Sequence, residues 1–194
     1  MTFISDARQR HSIRLQKFDY SQNGAYFITI CSYNKQCLFG RVINDEMRLS
    51  EFGQIASKCW HDITSHFSFV IPDLFVIMPN HIHGILNITD TNCRGIACYA
   101  PSERKSNRFG GVTPSSVSSI VRSYKSAVTK SLNRLHLSTG TPIWQRNYYE
   151  HVIRDEEELI RVREYIQHNP LKWDEDEYNL LDSAQPFANS PHSP

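Results

Sequence analysis

The sequence lacks the features of a membrane protein, a disulfide-bonded protein or a nucleotide-driven enzyme. No window reaches the roughly 18 uninterrupted apolar residues that a membrane span requires, and residues 67–88, the best stretch, contain Asp73, two prolines and two histidines. The five cysteines form no CxxC pair, so we expect neither a disulfide framework nor a zinc knuckle. A GxxxxGK[ST] phosphate loop is also missing. No apolar core follows the first basic residues, so we expect no signal peptide and a reducing cytoplasmic location.

The net charge of +1 gives by itself no evidence for a nucleic-acid partner. The charges are nevertheless segregated along the 194 residues. Residues 8–17 hold four bases and no acid, residues 101–134 hold seven bases and one acid, and residues 150–182 hold eleven acids and four bases. This separation of basic and acidic segments suits a protein that binds a polyanion on one face. Charges that only cover exposed helices would explain it equally well.

The hydrophobic pattern predicts an α+β fold. Aromatic and β-branched runs indicate strands, and apolar residues at helical spacing indicate helices. The predicted elements are strand 25–31, hairpin 37–50, a helix from Ser50 to about Phe67, strands 73–78 and 81–88, helix 114–135, strand 148–153, and a helix capped by Asp155 and Glu158 that runs to His168. This order predicts a ferredoxin-like split βαβ fold, with an antiparallel sheet and helices on one face.

We expect residues 1–173 to form a single domain. Its basic leader comprises residues 1–22, and a long basic loop of residues 89–112 interrupts it. Residues 174–194 are acidic and then rich in serine and proline, which is typical of a frayed tail.

His81 and His83 are the first candidate site residues. Residues i and i+2 of a strand point to the same face, so both imidazoles face one way. Two imidazoles on one strand can hold a divalent metal if a third ligand approaches from elsewhere. An HxH sequence alone is a weak signal, because two structural histidines would give the same pattern.

Tyr165 and Asn169 are the second pair, four residues apart on the last predicted helix and therefore on one face. An amide oxygen is a hard ligand suited to Mg²⁺ or Mn²⁺. A nearby dication favours the phenolate of a tyrosine and polarises a bound phosphodiester. The competing interpretation is that Tyr165 belongs to an ordinary apolar helix stripe with Val162 and Ile166.

Aromatic and basic residues supply candidate contacts to DNA. Trp144 can stack on an unpaired base or anchor a strand entry, and Arg146 can bind phosphate. His151 fits a structural role better than a DNA contact. The candidate contacts are Arg14, Arg104, Lys105, Arg108, Arg122, Lys125, Trp144 and Arg146.

Four sequence blocks resemble the single-tyrosine HUH transposases, and within them the REP-associated tyrosine transposases. The resemblance covers about residues 10–173. Its blocks are DYSQNGAYFITICSYNKQCLFG (19–40), MPNHIHGIL (78–86), SIVRSYKSAVTK (119–130) and WQRNYYEHVIRDEEELIRVREYIQHNPLKW (144–173).

The resemblance implies a ferredoxin-like fold in which His81, His83 and Asn169 bind Mg²⁺ or Mn²⁺. It implies that Tyr165 attacks single-stranded DNA, leaving a 5′-phosphotyrosine link and a free 3′-OH. The implied substrate is a REP-like palindrome folded into a hairpin, handled by a monomer or a homodimer in the bacterial cytoplasm near the nucleoid.

Two other functions stay open at this point. A domesticated protein with the same fold would bind DNA hairpins without cleaving them, although all four site residues are present. A two-histidine phosphoesterase acting on small nucleotides usually carries two HxT/S motifs, and this chain has one HxH and no second copy.

Overall fold

The computed structural model describes residues 20–89, 116–136, 140 and 142–179. The strands in these ranges are β1 (Gly24–Cys31), β2 (Gly40–Ile43), β3 (Glu46–Leu49), β4 (Val70–Ile77), β5 (His81–Ile88) and β6 (Tyr149–Ile153). The α-helices are α1 (Glu51–His61), α2 (Ile63–His66), α3 (Val117–His136) and α4 (Glu156–His168). Short 3-10 helices occupy Tyr33–Lys35 and Pro170–Glu175.

The central sheet has four strands in the order β4-β5-β1-β6, and every neighbouring pair is antiparallel. The first strands of the two βαβ halves, β1 and β5, lie in the middle. Helices α1 and α3 make the two crossovers. This is the ferredoxin-like arrangement, so the predicted fold class is confirmed. Strands β2 and β3 form a separate hairpin inserted before α1.

The two faces of the sheet carry different helices. Alternate β5 residues Ile82, Leu86 and Ile88 join the large apolar core that α1 and α3 share with the sheet. On the opposite face, Ile85 packs with Ile153 and Ile166 beneath α4. The crossover helices therefore lie on one face, as predicted, while the additional helix α4 covers the other. The odd-numbered positions of β5, which include both histidines, face α4.

Gly84 allows helix α1 to pack closely against the central sheet. A Cβ atom built on Gly84 would lie 2.3 Å from a ring carbon of Trp60, a fully buried residue of α1. The indole therefore lies directly on the β5 backbone at Gly84, on the face opposite the two histidines. A side chain at this position would displace α1 from the sheet.

Local sequence signals explain how several elements begin and end. Asn44 and Asp45 have φ of 50° and 62°, the left-handed values that a two-residue hairpin turn requires. The Ser50 side chain accepts a hydrogen bond from the Gly53 amide and caps α1. The prediction of a single helix to Phe67 is wrong. Helix α1 ends at its C-terminal cap, Asp62, and the separate helix α2 begins at Ile63, whose side chain is buried in the core.

The cap of α4 is half of the predicted capping box. The Asp155 carboxylate accepts from the Glu158 amide at 2.8 Å, as expected. The Glu158 side chain does not return to the Asp155 amide but accepts from the Arg154 amide at 2.8 Å. Its other oxygen is 2.7 Å from His151 Nε2, so Glu158 joins the start of α4 to β6.

Several expectations concern residues outside the described ranges. These are most of the basic leader, the long basic loop beyond Thr89, the helix start at Pro114 and the tail beyond Asn179. Among the helices that the structure does describe, none is both long enough and apolar enough to cross a membrane.

Candidate active site and metal centre

His81 and His83 lie side by side on the α4 face of β5, as their spacing predicts. Their ring centroids are 4.5 Å apart, and both side chains are almost completely buried. They pair in the sheet with Cys31 and Thr29 of β1. Because β5 is a central strand, β1 and β4 hold its backbone from both sides.

The hydrogen bonds of Asn80 determine which nitrogen of His81 is available. The Asn80 amide nitrogen donates to the carbonyl oxygens of Lys35 at 3.1 Å and Tyr178 at 2.7 Å. The Asn80 amide oxygen, 2.9 Å from His81 Nδ1, must therefore accept the Nδ1 proton. This tautomer leaves a lone pair on His81 Nε2, a buried atom that has no hydrogen-bond partner among the described residues.

His83 is oriented in the same way. Its Nδ1 lies 2.9 Å from the Thr29 hydroxyl, and the Phe27 ring stacks on the imidazole with a centroid distance of 5.3 Å. When Nδ1 donates to Thr29, Nε2 carries the lone pair. That nitrogen is 3.2 Å from the Tyr165 hydroxyl. Anchoring one ring nitrogen to orient the other is the usual support of a metal-bound histidine.

Burial keeps both imidazoles uncharged. It lowers the pKa of His81 to about 3, against the opposing effect of the nearby Asn169 amide. The pKa of His83 is also well below its usual value, because of burial and the adjacent His81. Neutral imidazole is the form that ligates metal ions, so the pair is ready to bind a cation at neutral pH.

Helix α4 brings Tyr165 and Asn169 to the histidines. Asn169 is the C-terminal cap of α4, and its buried side-chain oxygen has no hydrogen-bond partner among the described residues. Its amide affects the pKa values of both His81 and Tyr165, so it lies beside both. The four predicted site residues therefore converge at one place, and they come from a single chain.

The phenol of Tyr165 is protonated in this environment. Burial raises its pKa, the carboxylates of Asp176 and Glu177 raise it further, and Asn169 acts in the opposite direction. The residue is nevertheless 46% exposed and borders a cavity of about 550 Å³ that also contacts His168 and Lys172. A substrate can thus reach the phenol, but its oxygen needs positive charge nearby to become a nucleophile.

The donor atoms suit a divalent cation. Two neutral imidazole nitrogens and an amide oxygen form the kind of mixed set that Mg²⁺ or Mn²⁺ accepts. His81 Nε2 and Asn169 Oδ1 are buried and have no hydrogen-bond partner among the described residues, so both atoms are free to coordinate an ion. Within the described ranges, no group of three or more His, Cys, Asp or Glu side chains is already arranged around a metal position, so a cation here would rely on the Asn169 oxygen as well as the imidazoles.

Residues 173–178 cover the histidines, and a position near the metal is one of the two that the acidic run 174–177 allows, the other being a face away from DNA. The His81 ring contacts the rings of Trp173 and Tyr178 at centroid distances of 6.1 and 4.6 Å. Asp176 Oδ2 is 3.9 Å from His81 Nε2. The acidic segment that begins the predicted tail therefore contributes to the site. Only the acidity of this segment was visible in the sequence, and acidity does not indicate where a segment folds.

The candidate DNA contacts occupy different environments. Arg122 on α3 and Arg146 before β6 are exposed. Trp144 packs on Phe39 with a centroid distance of 5.3 Å, and its indole N–H donates to the Lys125 carbonyl at 3.1 Å. Trp144 thus anchors the strand entry. Four further candidates lie outside the described residues: Arg14, Arg104, Lys105 and Arg108.

Lys125 supports the loop before β6. Its ammonium donates to the carbonyl oxygens of Gln145 at 2.9 Å and Asn147 at 3.0 Å, and burial lowers its pKa to about 8. We expect Lys125→Met to destabilise the fold by about 1–3 kcal/mol, because both carbonyls lose a charged donor. Chemical denaturation measures this loss. Lys130→Met, an exposed change on the same helix, should stay within about 0.5 kcal/mol of the parent. Equal stabilities of the two variants would contradict this role.

Two proteins of known sequence are similar to this chain. A protein of Haemophilus influenzae described as "Uncharacterized protein" is 43% identical over 169 residues, covering 87% of this chain and 92% of the relative. A second protein of that organism, described as "Putative REP-associated tyrosine transposase", is 25% identical over 158 residues, covering 79% of this chain and 74% of the relative. No family model matches the chain.

A solved structure shares the architecture. It is described as "Structure of the REP associates tyrosine transposase bound to a REP hairpin", and it superposes with a TM-score of 0.56 at 17% identity over 83% of this chain and 74% of that one. At this identity the likeness shows a shared fold. The chain is thus similar in sequence to one protein described as a REP-associated tyrosine transposase and in fold to another.

Proposed function

We propose that this protein is a metal-dependent endonuclease and strand transferase that acts on single-stranded DNA next to a REP-like hairpin. The observation that carries the proposal is the convergence of four groups. His81 Nε2 and Asn169 Oδ1 are buried and have no hydrogen-bond partner in the part of the chain that the structure describes, and the Tyr165 hydroxyl lies 3.2 Å from His83 Nε2. The hairpin as substrate is supported by the solved relative, which was described bound to one.

The residues of this chain have separate tasks in the proposed reaction. His81, His83 and Asn169 would hold Mg²⁺ or Mn²⁺, which when bound supplies positive charge beside the phosphodiester and the phenol oxygen. The Tyr165 oxygen attacks phosphorus, and the bond from phosphorus to the 3′ oxygen breaks. The products are a 5′-phosphotyrosine link and a strand ending in a 3′-OH. Because the phosphoester bond energy is kept in the link, the reverse attack rejoins strands without ATP.

The geometry supports assembly of the active site within one subunit. Tyr165 and His83 of the same chain are within hydrogen-bond distance. Phe27 fixes this approach, because its ring stacks on His83 and meets the Tyr165 ring edge-on at 6.0 Å. A monomer would therefore hold a complete set of reacting groups, and a homodimer would not need to exchange α4.

The proposal is tested with hairpin oligonucleotides that carry one fluorophore at either end of the strand. In Mn²⁺ we expect the 3′-labelled segment to migrate with the protein on a denaturing gel and the 5′-labelled segment to be released. EDTA should prevent both changes. If the protein binds the hairpins but no label becomes covalently attached in any divalent metal, the non-catalytic hairpin-binding alternative is correct.

A further inference from the structure

We propose that Asp176 is a carboxylate ligand of the same divalent cation, in addition to the two histidines and Asn169. This inference rests on the proposed function, because it concerns the metal that the function requires. It assigns a role to a residue in the segment that the sequence predicts to be a tail.

The position of Asp176 fits a shared ion. Its side chain is only 6% exposed, and its Oδ2 atom is 3.9 Å from His81 Nε2. Around an octahedral cation with bonds of about 2.1 Å, adjacent donor atoms are about 3.0 Å apart and opposite donor atoms about 4.2 Å apart. The observed 3.9 Å is nearest the separation of opposite donors and is too long for a direct hydrogen bond.

The carboxylate is also oriented by its own segment. Its Oδ1 atom accepts from the Tyr178 amide at 2.7 Å, which directs Oδ2 towards His81. The Tyr178 carbonyl accepts from Asn80, whose amide oxygen holds His81 Nδ1. One hydrogen-bonded unit therefore positions both donor atoms, the carboxylate oxygen and the imidazole nitrogen.

The charges around Asp176 favour a cation over a protein partner. A buried carboxylate is costly unless a positive group compensates it. The ion-pair contact seen for Asp176 is with the buried His81 ring, while the Lys35 charge also acts on this carboxylate. The nearby Lys35 ammonium instead donates to the Glu177 carbonyl at 3.3 Å and lies over the Tyr178 ring. An anionic oxygen would strengthen an otherwise neutral ligand set for Mn²⁺ or Mg²⁺.

Calorimetric titration of the full-length chain with MnCl₂, in the absence of DNA, tests this role. We expect Asp176→Asn to weaken Mn²⁺ binding by about 10- to 100-fold, the loss typical of a damaged metal site. Glu177→Gln is the matched control, because it removes the same charge from the neighbouring exposed residue. It should change the affinity by less than about threefold, since an exposed charge is screened.

A second variant separates ligation from a general charge effect or a folding defect. Asp176→Cys replaces a hard oxygen by a soft thiolate, so it should shift the preference of the protein from Mn²⁺ towards Cd²⁺ by at least about tenfold. Unchanged Mn²⁺ affinity in Asp176→Asn, or an unchanged Mn²⁺ to Cd²⁺ preference in Asp176→Cys, would overturn the role of Asp176. The proposed function would survive that outcome if His81→Ala still abolished binding. If His81→Ala also bound Mn²⁺ normally, the metal site itself would be wrong.

Discussion

Tyr165→Phe is expected to eliminate strand cleavage, with a loss of at least about 10³-fold, because removing a catalytic nucleophile has effects of this size or larger. The substitution deletes one oxygen and keeps the ring that meets Phe27 edge-on. Hairpin affinity and the thermal midpoint should therefore stay close to those of the parent protein. Denaturing gels measure the covalent product, and a binding assay without metal measures the affinity.

Tyr149→Phe is the matched control for that experiment. Tyr149 is 40% exposed, lies on β6 and also meets Phe27 edge-on, at 6.3 Å, so it resembles Tyr165 in surroundings. It is not within hydrogen-bond distance of His83 in any contact that the structure shows, and we expect Tyr149→Phe to cleave normally. A Tyr165→Phe protein that still forms the covalent product would show that another tyrosine is the nucleophile.

His81→Ala should produce the second large effect, a loss of Mn²⁺ affinity of at least about 100-fold together with the loss of cleavage. The reason is geometric. His81 Nε2 is a buried lone pair that the Asn80 hydrogen bonds direct into the site. Calorimetric titration with MnCl₂ measures the affinity without depending on activity.

His151→Ala serves as the control for the loss of an imidazole. His151 projects from β6 on the same face but pairs with Glu158 at 2.7 Å, away from the four converging groups. Its removal should leave Mn²⁺ binding unchanged and slightly destabilise the start of α4. If His81→Ala retained the parent affinity while remaining folded, the metal would have to bind elsewhere.

Much of the fold could be predicted because it follows from short-range signals. The Asn44-Asp45 turn, the Ser50 cap and the Asp155 cap depend on residues at most a few positions away. The order of strands and helices then leaves few topologies, and the ferredoxin-like one was correct. The HxH spacing on a strand likewise placed two imidazoles on one face.

Other features depend on contacts between residues that are distant in sequence. No short-range sequence signal specifies that α4 covers the face of the sheet opposite α1 and α3. This placement of α4 nevertheless brings Tyr165 to His83. The packing of Trp60 on Gly84 and the two carbonyl bonds of Lys125 are equally non-local. The sequence predicts Lys125 as a DNA contact and does not reveal its two carbonyl partners, because they lie 20 and 22 residues away.

Peptide mapping of the covalent product tests the central claim most directly. The protein is incubated with a hairpin oligonucleotide and Mn²⁺, digested with nuclease and protease, and analysed by mass spectrometry. We predict one modified peptide, from α4, carrying a nucleotide 5′-phosphate on Tyr165. A nucleotide on any other residue, or an unmodified Tyr165 in a sample that has cleaved its DNA, would contradict the proposed active site.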